Sequence, residues 1–207
     1  QPLPFVMPSY KAWETPFYGI GLKVYDALAG SAGLGATDFL GREATLRALP
    51  TLRTEGLKGG VRYWDGQFDD ARLALAIART AASAGATVLN HAEVTGLQRS
   101  DGLSTLDVTD RLTGRRHTVR ARCVVNATGV WVDALREAGG TPSHMVSPSQ
   151  GVHLVVDRDF MPGDHALLVP RTRDGRVLFA VPWLGKLILG TTDTPRRDLA
   201  REPQPFD

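Results

Sequence analysis

ARCVVNATGVWVDAL, residues 121–135, runs as an apolar segment up to Asn126-Ala127-Thr128-Gly129 and then passes at once into a helical pattern. A strand that enters a helix through a glycine turn leaves N–H groups pointing outward at the helix start, where many folds hold a phosphate. The unbroken run Cys123-Val124-Val125-Asn126 predicts a strand buried on both faces. Cys123, the single cysteine, is expected there as a small core hydrophobe. The dinucleotide fingerprint G-x-G-x-x-G, however, occurs nowhere in the 207 residues. The turn has the shape of a cofactor contact without its glycine cradle.

Upstream of this stretch, DGQFDDARLALAIARTAASAGA predicts a helix over 69–84. Asp69 and Asp70 suit its start, Leu73, Ile77, Ala81 and Ala84 form the stripe expected to be buried, and Gly85 ends it. TVLNHAEVTGLQ is then a strand, Ser100-Asp101-Gly102 a tight turn into LSTLDVTD, and Thr113-Gly114 a second turn into RRHTVRAR. These three segments predict a β-meander leading into residues 123–126. After Gly129 a short helix carries Trp131 and Leu135 and closes at Gly139-Gly140.

Nearer the amino terminus, Pro2, Pro4 and Pro8 mark residues 1–13 as a connector. Phe17, Ile20, Val24 and Leu28 fall at helical spacing over Thr15 to Leu28, with Pro16 in the first turn and Gly30 at the end. A second, shorter helix over Gly41 to Leu49 is closed by Pro50, and an irregular stretch follows to Gly59-Gly60-Val61. From Gly151 the texture changes. GVHLVVD, HALLVPR, RVLFAVPW and KLILGTTD predict four short strands, the last two joined by a hairpin at Leu184-Gly185. The fold class is therefore α/β (α+β), with this antiparallel sheet distinct from the α/β part and segments at 1–64, 65–140 and 141–207.

With 43% hydrophobic and 22% charged residues the chain can bury a real core. A net charge of +2 from 24 basic and 22 acidic residues, with no basic run interleaved with aromatics, argues against nucleic-acid binding. No stretch approaches the roughly 20 apolar residues of a spanning helix, and no charged-then-apolar leader is present. The chain opens on Gln1 and closes at Phe206-Asp207, after a proline-broken stretch, and is expected to be a piece of something longer.

Five histidines, His91, His117, His144, His153 and His165, are available for acid–base chemistry, and none is spaced as a metal pair. His117 lies among arginines in a hairpin expected to be solvated. His153 projects from the apolar element GVHLVVD, either as a hydrogen-bonded structural histidine or as a working base. Leu189-Gly190-Thr191-Thr192-Asp193 ends a strand in two hydroxyls and a carboxylate, and reads equally as a self-capped turn or as a site. The Ser147–Gly151 loop could wrap a ligand. Asp69, Asp70 and Arg72 have the look of a paired-carboxylate site but read first as a helix start, and the tryptophans of YWDG and VPWLG read first as core rather than as cofactor platforms.

Taken in order, DGQFDDARL (65–73), VVNATGVWVD (124–133), GVHLVV (151–156), VLFAVPW and LILGTTDT (177–194) resemble the FAD-dependent, quinone-linked glycerol-3-phosphate dehydrogenases of the D-amino-acid-oxidase-like flavoprotein superfamily. The match covers nearly the whole chain, including PLPFVMPSYK and GIGLKVYDAL. In such enzymes the G-x-G-x-x-G element precedes, and further substrate-binding arginines and a lysine follow, the part resembled here. The resemblance thus implies the later part of an FAD-binding Rossmann-like domain at 65–140, flanked by substrate-cap segments. It implies that Val94 meets the adenine end of FAD through its backbone, and that Ala127, Thr128 and Gly129 close over the cofactor, with Trp131 beside them. It also implies His153 as base for the substrate 2-hydroxyl and Thr191 as a substrate contact. Where relatives often have Gly-Ser before the histidine and Pro after ATG, this chain has Gly151-Val152 and Val130.

The implied chemistry is oxidation of sn-glycerol 3-phosphate to dihydroxyacetone phosphate, hydride to flavin N5 and electrons on to quinone. An amine or D-amino-acid oxidase of the same superfamily is the alternative enzyme. The isolated chain is expected to be non-catalytic and to hold no flavin tightly. The resemblance further implies a cytoplasmic protein in peripheral contact with the inner membrane, through the 15–28 helix on the lipid surface or with that helix buried instead.

Overall fold

The computed structural model describes residues 1–141, 144–172 and 174–204; Phe206 and Asp207, where the chain closes, lie outside the described residues. In chain order the elements are β1 (Pro2–Ser9), α1 (Glu14–Ala29), β2 (Asp38–Gly41), α2 (Arg42–Ala48), β3 (Gly59–Gly66), α3 (Asp70–Ser83), β4 (Ala92–Ser100), β5 (Leu103–Asp110), β6 (Arg116–Ala121), α4 (Val132–Ala138), β7 (Ser149–Gln150), β8 (Leu154–Asp157), β9 (Ala166–Val169), β10 (Leu178–Trp183), β11 (Lys186–Gly190) and β12 (Thr194–Pro195). They form two compact units. One comprises residues 1–69 with 151–193, the other residues 70–150 with the chain from 194 onward.

The first unit is built on a seven-stranded sheet ordered β2-β3-β1-β9-β10-β11-β8. All its pairings are antiparallel except β1 with β9. Residues 1–13 are therefore not a connector: β1 is an inner strand, and the prolines that argued against it explain how it is tolerated. Gln1 exchanges both backbone hydrogen bonds with Gln67, at 2.6 and 2.8 Å, and the carbonyl of Ser9 accepts from the amide of Lys58 at 2.9 Å. Odd-numbered residues of β1 thus bond to β3. Pro2, Pro4 and Pro8 turn their missing N–H toward β9, which pairs only with Phe5 and Val6. The four strands after Gly151 form as expected, and they continue the sheet of β1–β3.

One face of this sheet buries Val6, Leu49, Met161, Ala180 and Leu187 beneath α2. The other buries Leu3, Phe5 and Ala166 with Tyr63, Leu168, Phe179 and Val181 around them. The small Ala166 lets the Phe5 ring meet Phe179 edge-on at 6.3 Å, while Phe5 stacks on Tyr63 at 5.3 Å. Burial, with Asp65 and Tyr25 adding, pushes the Tyr63 phenol above its ordinary range.

Helix α1 starts where the Glu14 carboxylate accepts the amides of Tyr10 and Lys11, at 2.8 and 3.0 Å. It is tied down by Asp26, which accepts the amide and hydroxyl of Thr37 at 2.8 and 3.0 Å. It rests on Phe39 through Gly19, where a Cβ would collide with the ring. That choice of face turns the apolar stripe outward: Phe17 is 65% exposed, Ile20 63% and Leu28 83%.

In the second unit the meander forms as expected, in the order β4-β5-β6. Its first strand begins at Ala92 rather than Thr87. The β4–β5 turn takes positive φ at Asp101 and Gly102, +50° and +75°, as a tight hairpin of right-handed strands requires. Two other expectations fail for one physical reason. A strand exists only through its hydrogen-bonding neighbours and an apolar helix face is buried only by a surface to cover it. Residues 123–126 pair with no strand among the described residues, and Cys123 is exposed and Val125 84% exposed. Likewise no residue of α3 is buried, so Leu73, Ile77, Ala81 and Ala84 do not form the expected core stripe.

Candidate active site and cofactor turn

The first unit brings His153 and Thr191 together. Continuing the β8–β11 register by one pair beyond Leu154↔Leu189 sets His153 opposite Gly190, on the face that carries Phe179 and Leu168. The chain ahead of β8 stays alongside the end of β11. The amide of Val152 donates to the Thr192 hydroxyl at 2.9 Å, and the Thr191 hydroxyl donates to the carbonyl of Thr192 at 2.8 Å. His153 is exposed and Thr191 half-buried. His153 thus stands outside the core of this unit. Thr191 and Thr192 both engage the local backbone, so the self-capped turn and the side-chain pair occur together.

The other histidines separate cleanly. His91, His117 and His144 are exposed, and His165 is half-buried, where burial and then the nearby Arg62 push its pKa down and keep it neutral. No group of three or more His, Cys, Asp or Glu side chains is disposed to hold a metal ion among the described residues.

The second unit gathers three of the five positions expected to meet the cofactor. Val94, Thr128 and Trp131 line one cleft of about 650 Å³ between the start of β4 and α4, with Ala134 and Leu135 as its apolar wall. A β-bulge at Thr95, where the β4–β5 register slips between Val94 and Gly96, redirects the chain at the mouth of this cleft. Glu93 pairs there with Arg111 and, at 3.4 Å, with Arg201. Ala127 and Gly129 flank Thr128 on an exposed turn.

That turn is held by a residue the sequence reading left without a role. The Asn126 carboxamide oxygen accepts the Thr128 hydroxyl at 2.7 Å and the Thr128 amide at 3.3 Å. Its amide nitrogen donates to the carbonyl of Val132 at 2.9 Å. One side chain thus spans the turn from its start to the first residue of α4, and the signal was an Asn two residues ahead of Thr128. Gly129 has φ +58°, a conformation open to glycine at little cost, and no atom lies within 4 Å of where its Cβ would stand. Small residues and an open backbone surface suit a broad cofactor approached through main-chain atoms, so the residues present fit a dinucleotide.

Three comparisons agree on the class. The structure of a glycerol-3-phosphate dehydrogenase from Bacillus halodurans complexed with FAD superposes with a TM-score of 0.73 and 34% identity, covering 99% of this chain and 36% of that one. Glycine oxidase from Geobacillus kaustophilus follows at a TM-score of 0.69 and 27% identity, covering 95% of this chain and 49% of that one. Among curated proteins, mitochondrial glycerol-3-phosphate dehydrogenase of Bos taurus is 42% identical over 100% of this chain and 29% of its own length. The fold and its turns are those of a flavin-dependent oxidoreductase. The chain belongs to the FAD dependent oxidoreductase family, whose model matches residues 18–207. It spans about three tenths of the length of the curated relative.

Proposed function

We propose that this chain is part of a flavoenzyme that oxidises sn-glycerol 3-phosphate to dihydroxyacetone phosphate and passes the electrons to a quinone. The observation that carries the proposal is the 42% identity to a glycerol-3-phosphate dehydrogenase, maintained over the whole chain. Adjacency of His153 and Thr191 at one end of the β8–β11 pair supports it chemically.

FAD, when bound, supplies the hydride acceptor at N5. His153 is the base: its exposed imidazole takes the C2 hydroxyl proton as the C2 hydride departs, so that the alcohol becomes a ketone with one proton left on the ring. Thr191 offers its hydroxyl to the substrate from the neighbouring strand end. Val94, Thr128 and Trp131 hold the cofactor along their cleft, and Ala127 and Gly129 let it approach the backbone of the turn. The test is substrate choice by the full-length, FAD-loaded protein. Glycerol 3-phosphate with a soluble quinone analogue is expected to turn over, and glycine, sarcosine and D-alanine are not. Turnover of the amines with none of glycerol 3-phosphate would identify the amine-oxidase alternative.

The outward stripe of α1 is the surface assigned to membrane contact, on the cytoplasmic face of the inner membrane. Trp13, Phe17, Ile20, Val24 and Leu28 share one side, all more than half exposed, and the Trp13 and Phe17 rings meet edge-on at 5.7 Å. An aromatic and aliphatic face, with the Lys11 ammonium over the Trp13 ring at 5.9 Å, is suited to the headgroup boundary. No helix among the described residues is long and apolar enough to cross a membrane. Full-length protein is expected to sediment with anionic vesicles and to lose most of that binding in the Phe17→Asp, Ile20→Asp double variant. Binding unaltered in a folded double variant would remove α1 as the contact.

A further inference from the structure

We propose that Gly190 and Gly151 are reciprocal positioning residues, each lacking a side chain because the site residue on the opposite segment occupies its Cβ space. A Cβ on Gly190 would lie 2.7 Å from Nε2 and 3.2 Å from Cγ of His153, and nearer still to Cδ2. A Cβ on Gly151 would lie 2.5 Å from the Thr191 hydroxyl oxygen and 3.1 Å from the Thr192 carbonyl oxygen. The approaches to Cδ2, Nε2 and the Thr191 hydroxyl fall well inside van der Waals contact, and those to Cγ and the Thr192 carbonyl are tight by a few tenths of an ångström. Neither glycine has a positive φ, so no left-handed backbone calls for glycine at either place. What calls for it is space.

The two glycines stand on opposite segments, Gly190 at the end of β11 and Gly151 ahead of β8. Gly190 lets the His153 ring lie flat along the sheet face in the row that holds Phe179 and Leu168. An alanine there leaves the strand pairing intact and displaces the end of a side chain, because an exposed imidazole swings more easily than a sheet deforms. Gly151 bears on the Thr191 hydroxyl in the same way, with the backbone carbonyl of Thr192 as a stiffer limit behind it. Gly190 thus orients the base and Gly151 the substrate-side hydroxyl. This inference rests on the role proposed for His153, but the seating itself is testable without it.

The test uses the full-length, FAD-loaded protein and the variants Gly190→Ala, His153→Ala and their combination. Gly190→Ala is expected to shift the His153 ring resonances in the proton–carbon NMR spectrum and to lower kcat by about 10- to 100-fold, the loss typical of a reacting group displaced by about 1 Å. KM is expected to move less, and the flavin spectrum to be retained. In the His153→Ala background the same substitution is expected to change kcat less than twofold, since no ring remains to displace. A Gly190→Ala protein with unmoved His153 resonances and full kcat overturns the proposal. So does a double variant that loses a further tenfold over His153→Ala. If Gly190→Ala fails to fold, recovery of folding in the double variant supports the seating and continued failure overturns it. A shifted ring in Gly190→Ala together with full activity in His153→Ala keeps the seating and removes His153 as the base, separating the two claims. Gly151→Ala is expected to raise KM several-fold with kcat changed less, and the reverse split counts against the Thr191 half of the pair.

Discussion

Replacing His153 by glutamine is expected to lower kcat/KM for glycerol 3-phosphate by about 10²- to 10⁴-fold, the usual contribution of a positioned general base. Glutamine keeps hydrogen-bonding capacity and approximate volume but accepts no proton at neutral pH, so the loss reports proton removal rather than packing. His153 is exposed, and its ring lies over a glycine rather than inside the core. The variant should therefore fold and bind flavin like the parent. A variant within threefold of the parent would assign the base elsewhere.

What was legible in the sequence follows from the range of the interactions involved. The meander was legible because its turns are local: Asp101-Gly102 and Gly114 supply the positive φ that tight hairpins need. The ends of α1, α2 and α4 were legible through proline and glycine for the same reason. β1 was hidden, although its pattern was present. Leu3, Phe5 and Met7 alternate as one buried face, and the prolines at 2, 4 and 8 all fall on the other parity, which a strand tolerates when its partner on that side is short. The 123–126 run shows the opposite error. Its composition is that of a buried strand, but composition records only the burial a segment is suited to, and pairing depends on neighbours distant in sequence.

The site divided in the same way. Ala127, Thr128 and Gly129 were implied by the family resemblance, and the structure adds the Asn126 side chain that holds them in shape. His153 and Thr191 were chosen separately, from two motifs nearly forty residues apart. The reason a glycine stands two residues ahead of His153 and one ahead of Thr191 lies in pairing between segments, Gly151 with Thr191 and Gly190 with His153. A glycine required by a neighbour's side chain carries no local signature. A glycine required by its own φ does, and Gly129 is that case.

Gly129→Val is accordingly expected to lower the FAD affinity of the full-length protein by about tenfold or more. Forcing an ordinary residue into the left-handed region costs about 1–2 kcal/mol, equivalent to roughly 5- to 30-fold in an equilibrium constant, and a β-branched residue suffers most. Strain alone would be relieved by a local shift of the turn, which Asn126 resists through its bonds to Thr128 and Val132. Bulk is the second effect, and two milder variants separate it from strain. Alanine adds strain with little volume, whereas asparagine accepts positive φ with little strain but fills the space beside the turn. Nothing in this chain lies within 4 Å of the Cβ position, so the first side-chain atom of asparagine meets no obstacle from it. If the turn lies against the cofactor, Gly129→Asn should lose flavin although its backbone is undisturbed, as read by flavin absorbance after gel filtration and by titration of the apoprotein. Retention of stoichiometric flavin by both the valine and the asparagine variants would place the cofactor away from residues 127–129.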